Sequence, residues 1–154
     1  MDILELLLET DARFLVVGAH ALAAHGVARA TGDLDIFVRP APDNAAKVYR
    51  ALQGFGAPVQ VHGLTHEDLT RAGTVYQVGL PPRRIDVITA IDGVDFEEAW
   101  AGRTTRSVSG MELCFLGLRE LLKNKRAAGR AKDLADVAAL QELGLADEPL
   151  DEGD

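Results

Sequence analysis

Seven consecutive residues, Gly32-Asp33-Leu34-Asp35-Ile36-Phe37-Val38, constrain this chain more than any other stretch. The run is apolar enough to be a strand, yet it carries two carboxylates one residue apart. Side chains alternate faces along a β-strand, so residues i and i+2 point the same way. Asp33 and Asp35 therefore share one face, while Leu34, Ile36 and Val38 pack on the other. Like charges held this close are unfavourable unless something positive joins them. Hard divalent cations are natural partners, and Mg2+ in particular takes one or two carboxylates together with substrate phosphates.

The rest of the composition fits one ordinary globular domain. The chain has 154 residues, 47% of them hydrophobic, and no apolar run as long as a membrane span. The stretch 3–8 is flanked by Asp2 and Glu9 and has no basic leader, so it reads as a short amphipathic helix rather than a signal peptide. A single cysteine, Cys114, leaves no intramolecular disulfide and no cysteine-rich metal site. The expected compartment is the cytoplasm, with no membrane partner. A net charge of −8 argues against a broad nucleic-acid footprint. The charge is uneven, however. Arg119, Lys123, Lys125, Arg126, Arg130 and Lys132 crowd one segment, and the end of the chain is acidic. We read 1–145 as a single domain and 146–154 as an acidic tail, expected to be disordered.

Local patterns predict a helix over 2–9, a buried strand over 14–17 stopped by Gly18, and an alanine-rich helix over 19–25 ended by Gly26. The acidic strand ends at Pro40, and Pro42 opens a helix to about residue 54. A short strand is expected at 59–61 and a helical turn at 65–69. Strands at 74–78 and 84–88 flank a proline turn. A short helix over 95–100 is capped by Asp95. A hairpin follows over 103–108 and 111–115, and two helices, 117–128 and 131–143, close the chain. This mixture predicts an α+β, or mixed-sheet α/β, domain.

Three further pieces accompany the Asp33/Asp35 pair. The turn Val17-Gly18-Ala19-His20 feeds a strand into a helix, where glycine permits close approach of a ligand and the amide groups favour phosphate; a plain turn explains the glycine equally. Asp86 lies in an apolar strand and needs a partner, either Arg83 or Arg84 or a metal shared with Asp33 and Asp35. The segment 125–136 concentrates cations and the acids Asp133 and Asp136. Lys132 and Asp136 can form an i, i+4 pair, or line a site. His20 and His25 are read as packing or hydrogen-bonded residues, with His20 close enough to the helix start to touch substrate. His62 and His66 have i, i+4 spacing, but no third zinc ligand is evident. Cys114 and Trp100 are read as core.

In order and spacing, Gly18 to Gly26, Arg29-Ala30-Thr31-Gly32-Asp33-Leu34-Asp35-Ile36, Arg84-Ile85-Asp86-Val87-Ile88 and 125–136 resemble the small nucleotidyltransferases of the DNA polymerase beta superfamily. The similarity is closest to the toxin nucleotidyltransferases of AbiE-type toxin–antitoxin pairs, and it spans roughly residues 12–140. It implies a nucleotidyltransferase fold with flanking helices and two C-terminal helices. It also implies NMP transfer from an NTP donor such as ATP to a hydroxyl or phosphate acceptor, on tRNA, a protein or a small molecule. Asp33, Asp35 and Asp86 would hold two Mg2+ ions, with Asp86 also activating the acceptor. Gly18, Ala19 and His20 would contact the phosphates, and Lys125 or Lys132 would neutralise their charge or orient the acceptor. An antitoxin-like protein would be the cognate partner. Ala19 departs from the pattern, because many relatives place serine or glycine there. A non-catalytic nucleotide- or partner-binding member and a metal-dependent phosphohydrolase are the rival readings.

Overall fold

A computed structural model describes residues 2–30 and 32–144. Thr31 of the quoted motif and the 146–154 tail lie outside these residues.

Among the described residues the chain forms six α-helices and one six-stranded mixed sheet. In chain order they are α1 (Ile3–Glu9), β1 (Phe14–Val17), α2 (Gly18–Ala24), β2 (Leu34–Val38), α3 (Pro42–Phe55), β3 (Val75–Val78), β4 (Ile85–Ile88), α4 (Phe96–Ala101), β5 (Thr104–Val108), β6 (Met111–Phe115), α5 (Leu118–Ala128) and α6 (Ala131–Glu142). The strand order is β3-β4-β2-β1-β6-β5. β2 runs parallel to β4 and antiparallel to β1, β1 runs parallel to β6, and the outer pairs β3/β4 and β5/β6 are antiparallel.

Each sheet face has its own apolar layer. Val16, Ile36, Val38 and Val87 face α1 and α3, packing on Ile3, Leu7, Val48 and Leu52. Leu15, Val17 and Phe37 face the other way, against Leu22, Phe96, Leu121, Leu122 and Leu140. The alternation read in the acidic strand is therefore real. Ile36 and Val38 point into the first layer, and Phe37 into the second with Asp35 on its side.

The sequence signals set most element ends. Asp2 caps α1 by accepting from the Glu5 N–H at 2.9 Å, and Glu5 returns a bond to the Asp2 N–H at 3.0 Å. Asp95 caps α4 by accepting from the Glu98 N–H at 2.8 Å. Pro42 opens α3, and Gly56 and Gly129 end α3 and α5 in the left-handed conformation. Two expectations need correction. No strand forms at 59–61: Val59 is buried and Val61 exposed, and the Leu64 N–H bonds back to the Val59 carbonyl, so the segment coils into consecutive turns. The 65–69 turn is realised as a 3-10 turn at Asp68–Thr70, started by reciprocal Thr65 and Asp68 bonds.

Asn44 ties this frame together. Almost wholly buried at the start of α3, it accepts from the Arg13 N–H at 2.7 Å and donates to the Arg13 and Arg39 carbonyls at 3.0 Å each. It thereby pins the ends of two paired strands to the helix covering them. We expect Asn44→Ala to cost about 2–3 kcal/mol in denaturant unfolding, because the Arg13 N–H loses its partner, the Arg13 and Arg39 carbonyls each keep only one backbone donor, and a cavity is left at the start of α3. Asn44→Asp should cost at least as much, since it replaces two donors by a buried charge facing carbonyls.

Candidate active site

The parallel pairing of β2 with β4 sets Asp35 directly beside Asp86. Asp33, two residues earlier on the same side, precedes β2. The three acids predicted to act together are thus neighbours on one sheet face, at the end where β1 runs into α2. Gly18 stands against them. Its φ is +67°, and a side-chain carbon built on it would run into the Asp35 carboxylate. Only glycine satisfies both demands, so this residue is required by the turn and by the acid it abuts.

Burial, and then the charge of Asp86, push the Asp35 carboxyl above its ordinary range, helped by a hydrogen bond between the two acids. Asp86 is clasped by Arg84, whose Nε and Nη2 donate to its two oxygens at 2.8 and 3.3 Å. The Arg84 backbone N–H donates to Asp33 Oδ1 at 2.8 Å, and its guanidinium lies 3.9 Å from Asp33 Oδ2. Of the two partners the sequence offered Asp86 within the chain, Arg84 is the one that takes it.

Facing the acids across an open cleft of about 680 Å3 are α5 and α6. Lys125 enters from α5 and is held by two acids of α6, Asp136 at 3.1 Å and Asp133 at 3.5 Å. Asp133 is almost fully buried; it accepts from Arg130 Nε at 2.7 Å and from the Arg130 N–H at 3.2 Å. These bonds hold its carboxyl below the ordinary range, with Lys125 adding to the effect. Asp136 is also bound by Arg29, which reaches over from the loop before β2. Lys132 is exposed on the cleft, and the partners of Asp136 are Arg29 and Lys125 rather than Lys132.

The structure therefore gathers Gly18, Ala19, Asp33, Asp35, Lys125 and Lys132 around one cleft, with Asp86 behind Arg84. It does not bring His20 there. That ring lines a separate apolar groove with Val16, Leu34, Leu113 and Phe115, and its Nε2 has no hydrogen-bond partner among the described residues. The other histidines have local partners: His25 bonds the Leu116 carbonyl, His62 bonds the Tyr76 hydroxyl at 2.7 Å, and His66 packs edge-on against Tyr49. Trp100 stacks on Phe96 and takes Arg13 and Arg103 on its ring. Sequence reasoning left Arg29 and Arg130 without a role. Arg130, next to Gly129 at the start of a helix with Asp133 three residues on, carried a local signal. Arg29 meets Asp136 across 107 residues and carried none.

The three carboxylates supply only oxygen donors, the set Mg2+ prefers, and the crowding of Asp35 and Asp86 is relieved by a cation. In kind they fit a divalent ion. Among the described residues, however, no group of three or more histidine, cysteine or acidic side chains is gathered so as to hold a metal. Asp86 is occupied by the Arg84 fork, and Asp33 by the Arg84 backbone.

No protein-family model matches the sequence, and a search of curated proteins finds no similar sequence either. Among solved structures, the chain is similar to a Thermotoga maritima protein described as a "putative nucleotidyltransferase", with a TM-score of 0.53 and 12% identity, over 92% of this chain and 89% of that one. The mixed sheet and its flanking helices are thus a nucleotidyltransferase-like fold.

Two substitutions probe the electrostatics. The folded state raises the Asp35 pKa above its unfolded value. Its stabilising contribution is therefore complete below the unfolded pKa and is lost as pH rises through the folded one. Asp35→Asn keeps a donor toward Asp86 and removes that loss, so we expect melting at neutral pH to rise by about 1–3 °C, and the gap to vanish in acid. Asp133 shifts the other way, and its contribution is present above the unfolded pKa and lost as pH falls through the folded one. Asp133→Asn should cost about 2–3 kcal/mol at neutral pH, because it weakens the bonds from Arg130 and leaves the half-buried Lys125 with one acid instead of two.

Proposed function

We propose that this chain is a minimal nucleotidyltransferase that moves an NMP from an NTP to a hydroxyl or phosphate acceptor and releases pyrophosphate. The observation that carries the reading is the register that sets Asp35 beside Asp86, with Asp33 on the same face and a cationic helix pair across the cleft. Asp33, Asp35 and Asp86 would hold Mg2+, which supplies charge neutralisation of the triphosphate and alignment of its in-line displacement. Gly18 lets the triphosphate approach the backbone, and the Gly18 and Ala19 amides at the α2 start favour its oxygens. Lys125, aimed by Asp133 and Asp136, and Lys132 at the cleft edge would balance the charge that moves onto the leaving pyrophosphate. A carboxylate of the acidic set, Asp86 first, would accept the proton of the acceptor hydroxyl.

The resemblance to AbiE-type toxins extends this proposal to a cytoplasmic member of a toxin–antitoxin pair, with tRNA, a protein or a small molecule as acceptor and an antitoxin-like protein as partner. A second reading, a non-catalytic partner-binding relative, is favoured by two observations: Asp86 already has its cation in Arg84, and Ala19 offers no hydroxyl to a phosphate.

Calorimetric titration with each NTP, with and without Mg2+, on the wild type and Asp35→Asn separates the two. Metal-dependent binding of at least one NTP, weakened at least tenfold by the substitution, is the expected result. Pyrophosphate rather than phosphate release from the bound NTP then distinguishes transfer from hydrolysis. A folded wild type that binds no NTP in the presence of Mg2+ overturns the enzyme reading in favour of the partner-binding one.

A further inference from the structure

Arg84 immediately precedes β4, two residues before Asp86, so both side chains emerge on the acidic face. Its guanidinium engages both oxygens of Asp86 and approaches Asp33, while about a third of the side chain remains exposed at the cleft. The oxygens it engages are ones a divalent cation bound by these acids would need. A carboxylate cannot give the same lone pairs to a two-pronged guanidinium and to a metal at once. The clasp is also separable from the frame. Asp33 is oriented by the Arg84 backbone N–H, a bond that persists wherever the side chain points. A long, partly exposed stem can carry the charged head into the cleft without moving the strand.

We propose that Arg84 is an exchangeable counter-ion of the acidic site, competing with a divalent cation for Asp86 and Asp33. This deepens the reading of the acids as a cation site and rests on it. With the cation absent, Arg84 neutralises part of the crowded charge and keeps the strands in register. When a cation arrives, the guanidinium is released into the cleft, where the oxygens of a triphosphate are suitable new partners. Cation binding is therefore weaker than three carboxylates alone would give, by the amount needed to part Arg84 from Asp86.

Mn2+, which takes the same oxygen ligands as Mg2+ and is visible by electron paramagnetic resonance, reads this directly without nucleotide. The titration compares wild type, Arg84→Gln, Arg84→Lys and Asp86→Asn. Arg84→Gln should bind Mn2+ about tenfold or more tightly than wild type, the scale of one charge-assisted hydrogen-bonded pair given up. Arg84→Lys, which keeps the charge but loses the fork, should fall between, and Asp86→Asn should bind more weakly than all three. In thermal melts Arg84→Gln should be less stable than wild type without Mn2+ and recover with it. Equal or weaker Mn2+ binding by Arg84→Gln overturns the exchange while leaving the cation site standing. Absence of Mn2+ binding in every folded variant overturns the cation site and the exchange together. Should Arg84→Gln fail to fold, Arg84→Lys decides by the same comparison.

Discussion

The adjacency of Asp35 and Asp86 is the constraint around which the molecule is arranged. Two carboxylates on neighbouring parallel strands repel, and that repulsion is strongest where water is excluded. The neighbouring structure can be understood as an answer to it. Arg84 brings a guanidinium from just before β4, the Asp35 carboxyl moves toward its neutral form, and Gly18 gives up a side chain so that Asp35 has room. These accommodations come at one end of the sheet, where the apolar layer of Leu15, Val17 and Phe37 gives way to polar groups.

Across the cleft the same problem is solved with the signs exchanged. Lys125 is a cation with little exposure, and it is made tolerable by two acids on the next helix. Those acids are in turn shared with Arg130 and Arg29. The result is a wall whose charges are already paired, facing a floor whose charges are crowded. A ligand carrying both a divalent cation and a polyanion would complement the two surfaces at once, the cation on the floor and the anion at the rim.

Much of this was legible in the sequence because the signals are local. Alternation placed Asp33 and Asp35 on one face, caps and glycines marked the helix ends, and an acid inside Ile85–Ile88 demanded a partner. What failed did so where local pattern and tertiary packing diverge. The 59–61 stretch has strand-like residues, but only Val59 finds a core to enter, so the chain turns instead. His20 stands two residues from a glycine of the cleft, yet the helical turn carries its ring to the opposite sheet face. The i, i+4 spacing of Lys132 and Asp136 suggested a pair, but Asp136 points inward to partners from α5 and from a distant loop. Propensity and spacing describe what a segment can do alone, and these residues are decided by other segments.

The bridge from Arg29 to Asp136 spans 107 residues, and the floor of the cleft is laid down by segments far upstream of its wall. During synthesis the β1–β2 pairing and its covering α1 and α3 can form while α5 and α6 have yet to appear. Until then the acids have no cationic wall facing them, and the inner surfaces of Leu15, Val17 and Phe37 lack the cover of Leu121, Leu122 and Leu140. Closure of those long loops is entropically slow relative to local pairing. The cleft is therefore among the last features to be completed, and a chain interrupted before α5 would carry the acidic floor without the wall that faces it.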